Sequence, residues 1–172
     1  SIRRQRQMCI RDSSKYNLEE LVKEDYKLLE ELRNGINKSK RNSHIDNLKV
    51  MCNNQENIFI ASGEKTLEYQ ICLANIATTF AETKSSSLFE YVKELNPNGI
   101  KMIETYLSSI GSNSLNDVQR QNTAILLWKC LPSKAGFAQG LSTFLMDKID
   151  NHQEIHFTVP KYIENAINHL IS

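Results

Sequence analysis

The chain has 172 residues, of which 40% are hydrophobic and 24% are charged, and this composition is typical of one globular domain rather than a disordered segment. Its six glycines and three prolines are too few for a fold with many tight β-turns. The formal net charge of +1 is far from the strong basic excess of a dedicated nucleic-acid-binding protein.

The first thirteen residues, SIRRQRQMCIRDS, differ from the rest of the chain in charge. They contain four arginines and one aspartate, so residues 14–172 have a formal net charge of −2. The string RQRQMCIRDS resembles one that recurs at the ends of translated metagenomic assemblies, where it derives from sequencing adapter. We therefore expect residues 1–13 to be adapter-derived or disordered, and residues 14–172 to form a single helical domain whose gene product could continue beyond both ends of this sequence.

The cysteines indicate a reducing environment. Cys52, Cys72 and Cys130 are widely spaced in residues 14–172, which fits neither a disulfide framework nor a zinc site. Cys72 and Cys130 lie within apolar helical patterns, and we expect them to be buried thiols of a cytoplasmic protein. No run of about 18 apolar residues is present, so no membrane span is expected.

Apolar spacing predicts three helices in the first half of the chain, over 17–34, 44–52 and 64–83. Asn17 and Glu20 have the spacing of a capping box at the start of the first helix. The third helix is apolar on nearly all its faces, which is typical of a central core helix. The second helix is expected to turn three apolar side chains inward, those of Ile45, Leu48 and Met51.

Five further helices are predicted from caps and helix breakers. They run from the serine run 85–87 to Leu95, over 99–110, over 115–131, over 134–149, and from Pro160 to Leu170. Short connections predict that the first two pair as an antiparallel hairpin, and the next two likewise. Gly136 and Gly140 either weaken the start of the helix over 134–149 or let another helix approach it closely.

Two short runs have the character of β-strands. Residues 58–60 are β-prone, and residues 155–159 alternate apolar and polar side chains. These two runs could pair as one small ribbon. The predicted fold is therefore all-α, with seven or eight helices built from antiparallel hairpins around residues 64–83 and at most this one two-stranded ribbon.

Patterns that indicate catalysis or metal binding are weak. His152 and His156, in HQEIH, lack the glutamate position of the zincin motif, so no metal site is predicted. Cys72 or Cys130 could act as a nucleophile with a histidine, but no local motif supports such a pair. KAGFAQG has no phosphate-loop spacing. We predict no catalytic residue and no cofactor.

Lys38, Lys40 and Arg41 form the one compact basic cluster in residues 14–172. They could contact phosphate or a protein partner, although no aromatic residue is interleaved for base stacking. By elimination, we hypothesise a non-enzymatic interaction or scaffold module that binds another protein or a peptide. The alternatives are a nucleic-acid-associated regulatory protein that uses these three residues, and an enzyme of unrecognised type with a deep pocket of titratable groups.

Overall fold

The structure is a computed structural model that describes residues 17–39, 43–53, 55, 58–111 and 113–171. Its helices are α1 (Leu18–Leu21), α2 (Lys27–Lys38), α3 (Ser43–Cys52), α4 (Leu67–Ala74), α5 (Phe80–Lys84), α6 (Ser87–Leu95), α7 (Pro97–Ser109), α8 (Asp117–Lys129), α9 (Lys134–Asp150) and α10 (Lys161–Ile171). The described residues form no β-strand, which confirms the all-α prediction. None of these helices has the length and apolar character needed to cross a bilayer.

Helix α8 lies at the centre of the core. Residues 122–127 are all buried, and α8 packs against α1, α2, α4 and α7, most extensively against α4. Two polar residues, Asn122 and Thr123, interrupt its apolar pattern, yet both are buried because both are hydrogen-bonded. The Asn122 amide donates to the Tyr106 hydroxyl at 3.0 Å, and the Thr123 hydroxyl donates to the Gln119 carbonyl at 2.8 Å.

The prediction of one continuous helix over 64–83 is wrong. Helix α4 ends at Ala74, and α5 does not begin until Phe80. The break forms at polar residues that satisfy the exposed backbone groups of the helix ends. Asn75 donates from Nδ2 to the Ile71 carbonyl at 2.9 Å, and the Thr79 hydroxyl accepts from the Glu82 N–H at 3.3 Å as the N-cap of α5.

The first predicted helix is also divided. The capping box at Asn17 is confirmed, but α1 ends after one turn and α2 begins only at Lys27. Between them Asp25 and Tyr26 have φ values of 56° and 63°, a left-handed conformation that non-glycine residues seldom adopt. The ring of Tyr26 packs edge-on against Tyr106 at 4.9 Å, and this contact helps to hold the bend.

Helices α6, α7 and α9 test the two predicted hairpins. Only Asn96 separates α6 from α7, and the two helices pack together as expected. Helix α9 does not return along α8, so the second predicted hairpin is wrong. After Pro132, α9 packs chiefly against α6. The sequence could not show this packing, because a short connection restricts the position of the following helix but does not determine which helix it packs against.

Residues 153–160 belong to no helix or strand, and the predicted ribbon with residues 58–60 is wrong. Two side chains take the place of a partner strand. The Thr158 N–H donates to Asn75 Oδ1 and the Thr158 carbonyl accepts from Asn75 Nδ2, both at 2.9 Å. The His156 N–H donates to Ser87 Oγ at 3.0 Å, and the Ser87 N–H donates to the His156 carbonyl at 2.9 Å. These four bonds satisfy the backbone groups of His156 and Thr158 without a sheet.

Helices α3 and α10 lie at the periphery, and neither has a fully buried residue. Ile45 and Leu48 are half-buried, whereas Met51, which was predicted to face inward, is 74% exposed. At the end of α10, Leu170 is 83% exposed. The prediction that Met51 faces inward is wrong because the core is complete without α3.

Candidate functional site

An open groove lies between α6 and α9. Helix α6 begins at the N-cap Ser86, whose hydroxyl accepts from the Phe89 N–H at 3.2 Å. Helix α9 begins at Ser133, whose hydroxyl accepts from the Gly136 N–H at 3.4 Å. These caps fix where each helix starts, and α6 is the chief neighbour of α9 in the fold.

The groove consists of two adjoining hollows with volumes of about 430 and 350 Å³. The first is lined by Tyr91, Glu94, Leu95, Gly136, Gln139, Gly140, Thr143, Phe144 and Asp147. The second is lined by Glu90, Lys93, Glu94, Phe144, Lys148 and Gln153. Because Glu94 and Phe144 line both hollows, we treat them as one surface, the α6–α9 groove.

Tyr91 forms the floor of the first hollow. Its side chain is 4% exposed, and its ring lies 5.5 Å from that of Phe144 and 6.3 Å from that of Phe137. The hydroxyl reaches α9 at Gly140, and no residue in the described part of the chain forms a hydrogen bond with it. Burial raises the pKa of Tyr91, so at neutral pH the hydroxyl keeps its proton as a donor.

The charged side chains along the groove differ in whether they form an ion pair. Lys148 is paired: its ammonium lies 2.7 Å from a Glu90 carboxylate oxygen and 5.4 Å from the centre of the Phe144 ring. Glu94 and Asp147 face the first hollow from opposite helices, and neither forms an ion pair with another described residue. No cationic side chain lines the first hollow. The first hollow therefore combines an apolar floor with two carboxylates that have no ion-pair partner in the described part of the chain.

The predicted basic cluster is placed only in part. Lys38 is exposed at the end of α2, whereas Lys40 and Arg41 lie outside the described residues. Nearby, the Lys65 ammonium donates to the Ile36 carbonyl at 2.6 Å and also to the Ser39 carbonyl. Lys65 thus closes the carbonyl end of α2. Phosphate binding by Lys38, Lys40 and Arg41 stays a prediction.

The two core thiols are poor nucleophiles. Cys72 and Cys130 are buried, as predicted, and burial is the main cause that raises the pKa of both, for Cys130 to about 12. Both are therefore protonated near neutral pH. His152 and His156 are exposed, and the described residues contain no group of histidine, cysteine and acidic side chains placed to hold a metal ion.

The sequence predictions identified one feature of this groove, the close approach at Gly140, but not the groove itself. Close approach of another helix at Gly140, one of the two roles predicted for that glycine, is confirmed by its contact with Tyr91 of α6. Glu94 and Asp147 gave no signal, because exposed acids on helices are common. Comparison of the chain with protein-family models, with curated proteins and with solved structures gave no match.

Proposed function

We propose that the protein is an interaction module that binds a peptide segment of another protein in the α6–α9 groove. The observation that carries this proposal is the Tyr91 hydroxyl, which belongs to a buried side chain, lies at an open groove and has no partner among the described residues. Because this hydroxyl opens onto the groove and has no acceptor in the described part of the chain to give up, it is available to donate a hydrogen bond to a ligand. A backbone carbonyl of a bound segment would supply the acceptor.

The shape of the groove favours an elongated ligand. Two shallow hollows follow one another between the helices, whereas small molecules usually bind in enclosed pockets. Leu95, which is 50% exposed, and the half-buried Phe144 present apolar surface beside the Tyr91 hydroxyl. A segment with one or two apolar side chains and an accessible backbone fits this combination.

The arrangement supports binding better than catalysis. Glu90 and Lys148 neutralise each other in a fixed contact, and Lys148 is only 14% exposed. A catalytic site would bring several titratable groups together on one reacting atom in a deep cavity. In this groove the two free acids sit at the walls of an open surface instead.

A peptide-display experiment tests the proposal. A phage library of random 16-residue peptides is selected on the immobilised protein, and the enriched peptides are then titrated against variants by fluorescence anisotropy. Thr143→Arg places a long side chain in the first hollow, and Ser142→Arg places the same side chain on the adjacent exposed residue, which does not line the groove. We expect T143R to weaken binding by about tenfold or more and S142R by less than about twofold.

Two results would overturn the proposal. One is failure to enrich any peptide, or enrichment of peptides that bind T143R as tightly as the wild type. The other is a concentration-dependent dimer of the wild-type chain in sedimentation velocity that T143R, but not S142R, converts to monomer. In that case a second copy of the chain occupies the groove.

A further inference from the structure

We infer that the segment bound in the α6–α9 groove carries a lysine or arginine next to its apolar anchor, and that Glu94 and Asp147 recognise this cation. The inference rests on the proposed function and names the chemistry of its ligand. It is carried by these two carboxylates, one on α6 and one on α9, which line the same hollow as the Tyr91 hydroxyl.

The charges that line the groove divide unequally between the hollows. Three acids outnumber two lysines along the groove as a whole, since Glu94 borders both hollows, and both lysines line the second hollow. In the first hollow Glu94 and Asp147 are the charged side chains, and both are exposed rather than engaged. A basic ligand group would complete this hollow, whereas an acidic one would be repelled.

Lys148 shows how a ligand cation would be held. Its ammonium lies over the Phe144 ring and pairs with Glu90, so that α9 supplies a cation to an acid of α6. Glu94 lies one helical turn beyond Glu90 on α6 and also borders Phe144. A lysine or arginine from the ligand would repeat this contact one turn further along, with its methylene stem against Leu95.

The expected preference is moderate because both acids are exposed. Exposed ion pairs contribute up to about fivefold in affinity each, and less at high salt. The two carboxylates together would therefore favour a basic over a neutral ligand by roughly three- to twentyfold. The effect acts on specificity, while the apolar floor and the Tyr91 hydroxyl supply the remaining affinity.

The test repeats the display selection on Glu94→Gln/Asp147→Asn, which removes both charges and preserves side-chain shape. We expect peptides selected on the wild type to be enriched in lysine and arginine, and this enrichment to be lost on the variant. A wild-type-selected peptide should bind E94Q/D147N about three- to twentyfold more weakly. Glu31→Gln/Asp150→Asn removes two exposed acids outside the groove and should leave its affinity within about twofold.

The outcomes separate this inference from the proposed function. If T143R abolishes binding but the selected peptides lack basic residues, or bind E94Q/D147N and the wild type equally, then the inference is wrong and the groove still binds peptides. The inference is also overturned if E31Q/D150N weakens binding as much as E94Q/D147N. If T143R leaves binding unchanged, the proposed function and the inference are both overturned.

Discussion

The hydroxyl of Tyr91 occupies the space that a side chain at position 140 would need. A Cβ atom on Gly140 would stand 2.3 Å from this oxygen, which is far inside van der Waals contact. A glycine inside a helix costs roughly 0.5–1 kcal/mol relative to alanine. Here it lets Tyr91 of α6 reach the backbone of α9, and this contact sets the width of the groove.

Gly140→Ala tests that contact. We expect the added methyl group to displace the Tyr91 ring and to lower the free energy of unfolding by about 1–3 kcal/mol, because overpacking exceeds the gain in helix propensity. Urea denaturation measures the change. In Gly35→Ala the new methyl group meets nothing within 4 Å, so this control should stabilise the protein by about 0.5–1 kcal/mol. A G140A protein at least as stable as the wild type would contradict the role given to this contact.

The bonds between Asn75 and Thr158 make a second prediction. Asn75→Ala leaves the N–H and carbonyl of Thr158 without their partners, and we expect it to destabilise the protein by about 1–3 kcal/mol. Hydrogen exchange measured by mass spectrometry should become faster in residues 155–159 and at the start of α10. Ser87→Ala removes one of the two bonds to His156 and should have a smaller effect in the same region.

That prediction is wrong if N75A accelerates exchange equally throughout the chain, or if residues 155–159 exchange as in the wild type. The first result would mean that Asn75 supports global stability without holding this segment. The second would mean that the segment is held by the packing of neighbours such as Phe157, which contacts the core.

The sequence predictions are accurate for features set by short-range interactions and inaccurate for features set by contacts between distant parts of the chain. The predicted start at Asn17 and the predicted ends near Leu95 and before Pro132 agree with the structure, because caps and prolines act within one turn. The prediction of a continuous helix over 64–83 was wrong because Asn75 is hydrogen-bonded to Thr158, which lies 83 residues away in the chain. Helix α8 was not recognised as central because its buried Asn122 is satisfied by Tyr106 and Arg33, which lie on other helices.

The candidate site depends still more on long-range contacts. Gly140 could be recognised as a point of close approach, but the sequence does not say that Tyr91 is the residue that approaches. Leu95 continues the apolar stripe of α6, yet it lies at the edge of the groove and is 50% exposed. A groove depends on how two helices pack against each other, whereas the hydrophobic periodicity of a sequence describes each helix separately.

A chain of buried polar contacts gives a third prediction. The Asn122 amide donates to the Tyr106 hydroxyl at 3.0 Å and its carbonyl oxygen accepts from Arg33 at 3.2 Å. Tyr106→Phe leaves the amide without its acceptor, and we expect a loss of about 1–3 kcal/mol in urea denaturation. Tyr162→Phe, at a half-buried tyrosine, should cost less than about 0.5 kcal/mol. Equal losses in the two variants would show that the Tyr106 bond adds nothing.

Because the Cys130 thiol is buried, we predict that the protein loses stability at alkaline pH. Its pKa is about 12 in the folded protein, against an ordinary value of 9.0, because burial disfavours the thiolate. The folded protein therefore keeps a proton that the unfolded chain releases above about pH 9. The contribution is fully present below that pH and is lost as the pH rises toward 12. Lys129, whose pKa is lowered by burial, has the opposite effect and partly offsets it.

The measurement compares each protein with itself at two pH values. Urea denaturation under a non-thiol reductant should show that the wild type loses more stability between pH 7.5 and 10.5 than Cys130→Ala does, by on the order of 1–2 kcal/mol. Cys52→Ala, at a half-buried residue of the peripheral helix α3, should keep the dependence of the wild type. If C130A and the wild type lose the same amount, the Cys130 thiol ionises in the folded state as readily as in the unfolded chain, and the core around it is open to water at alkaline pH.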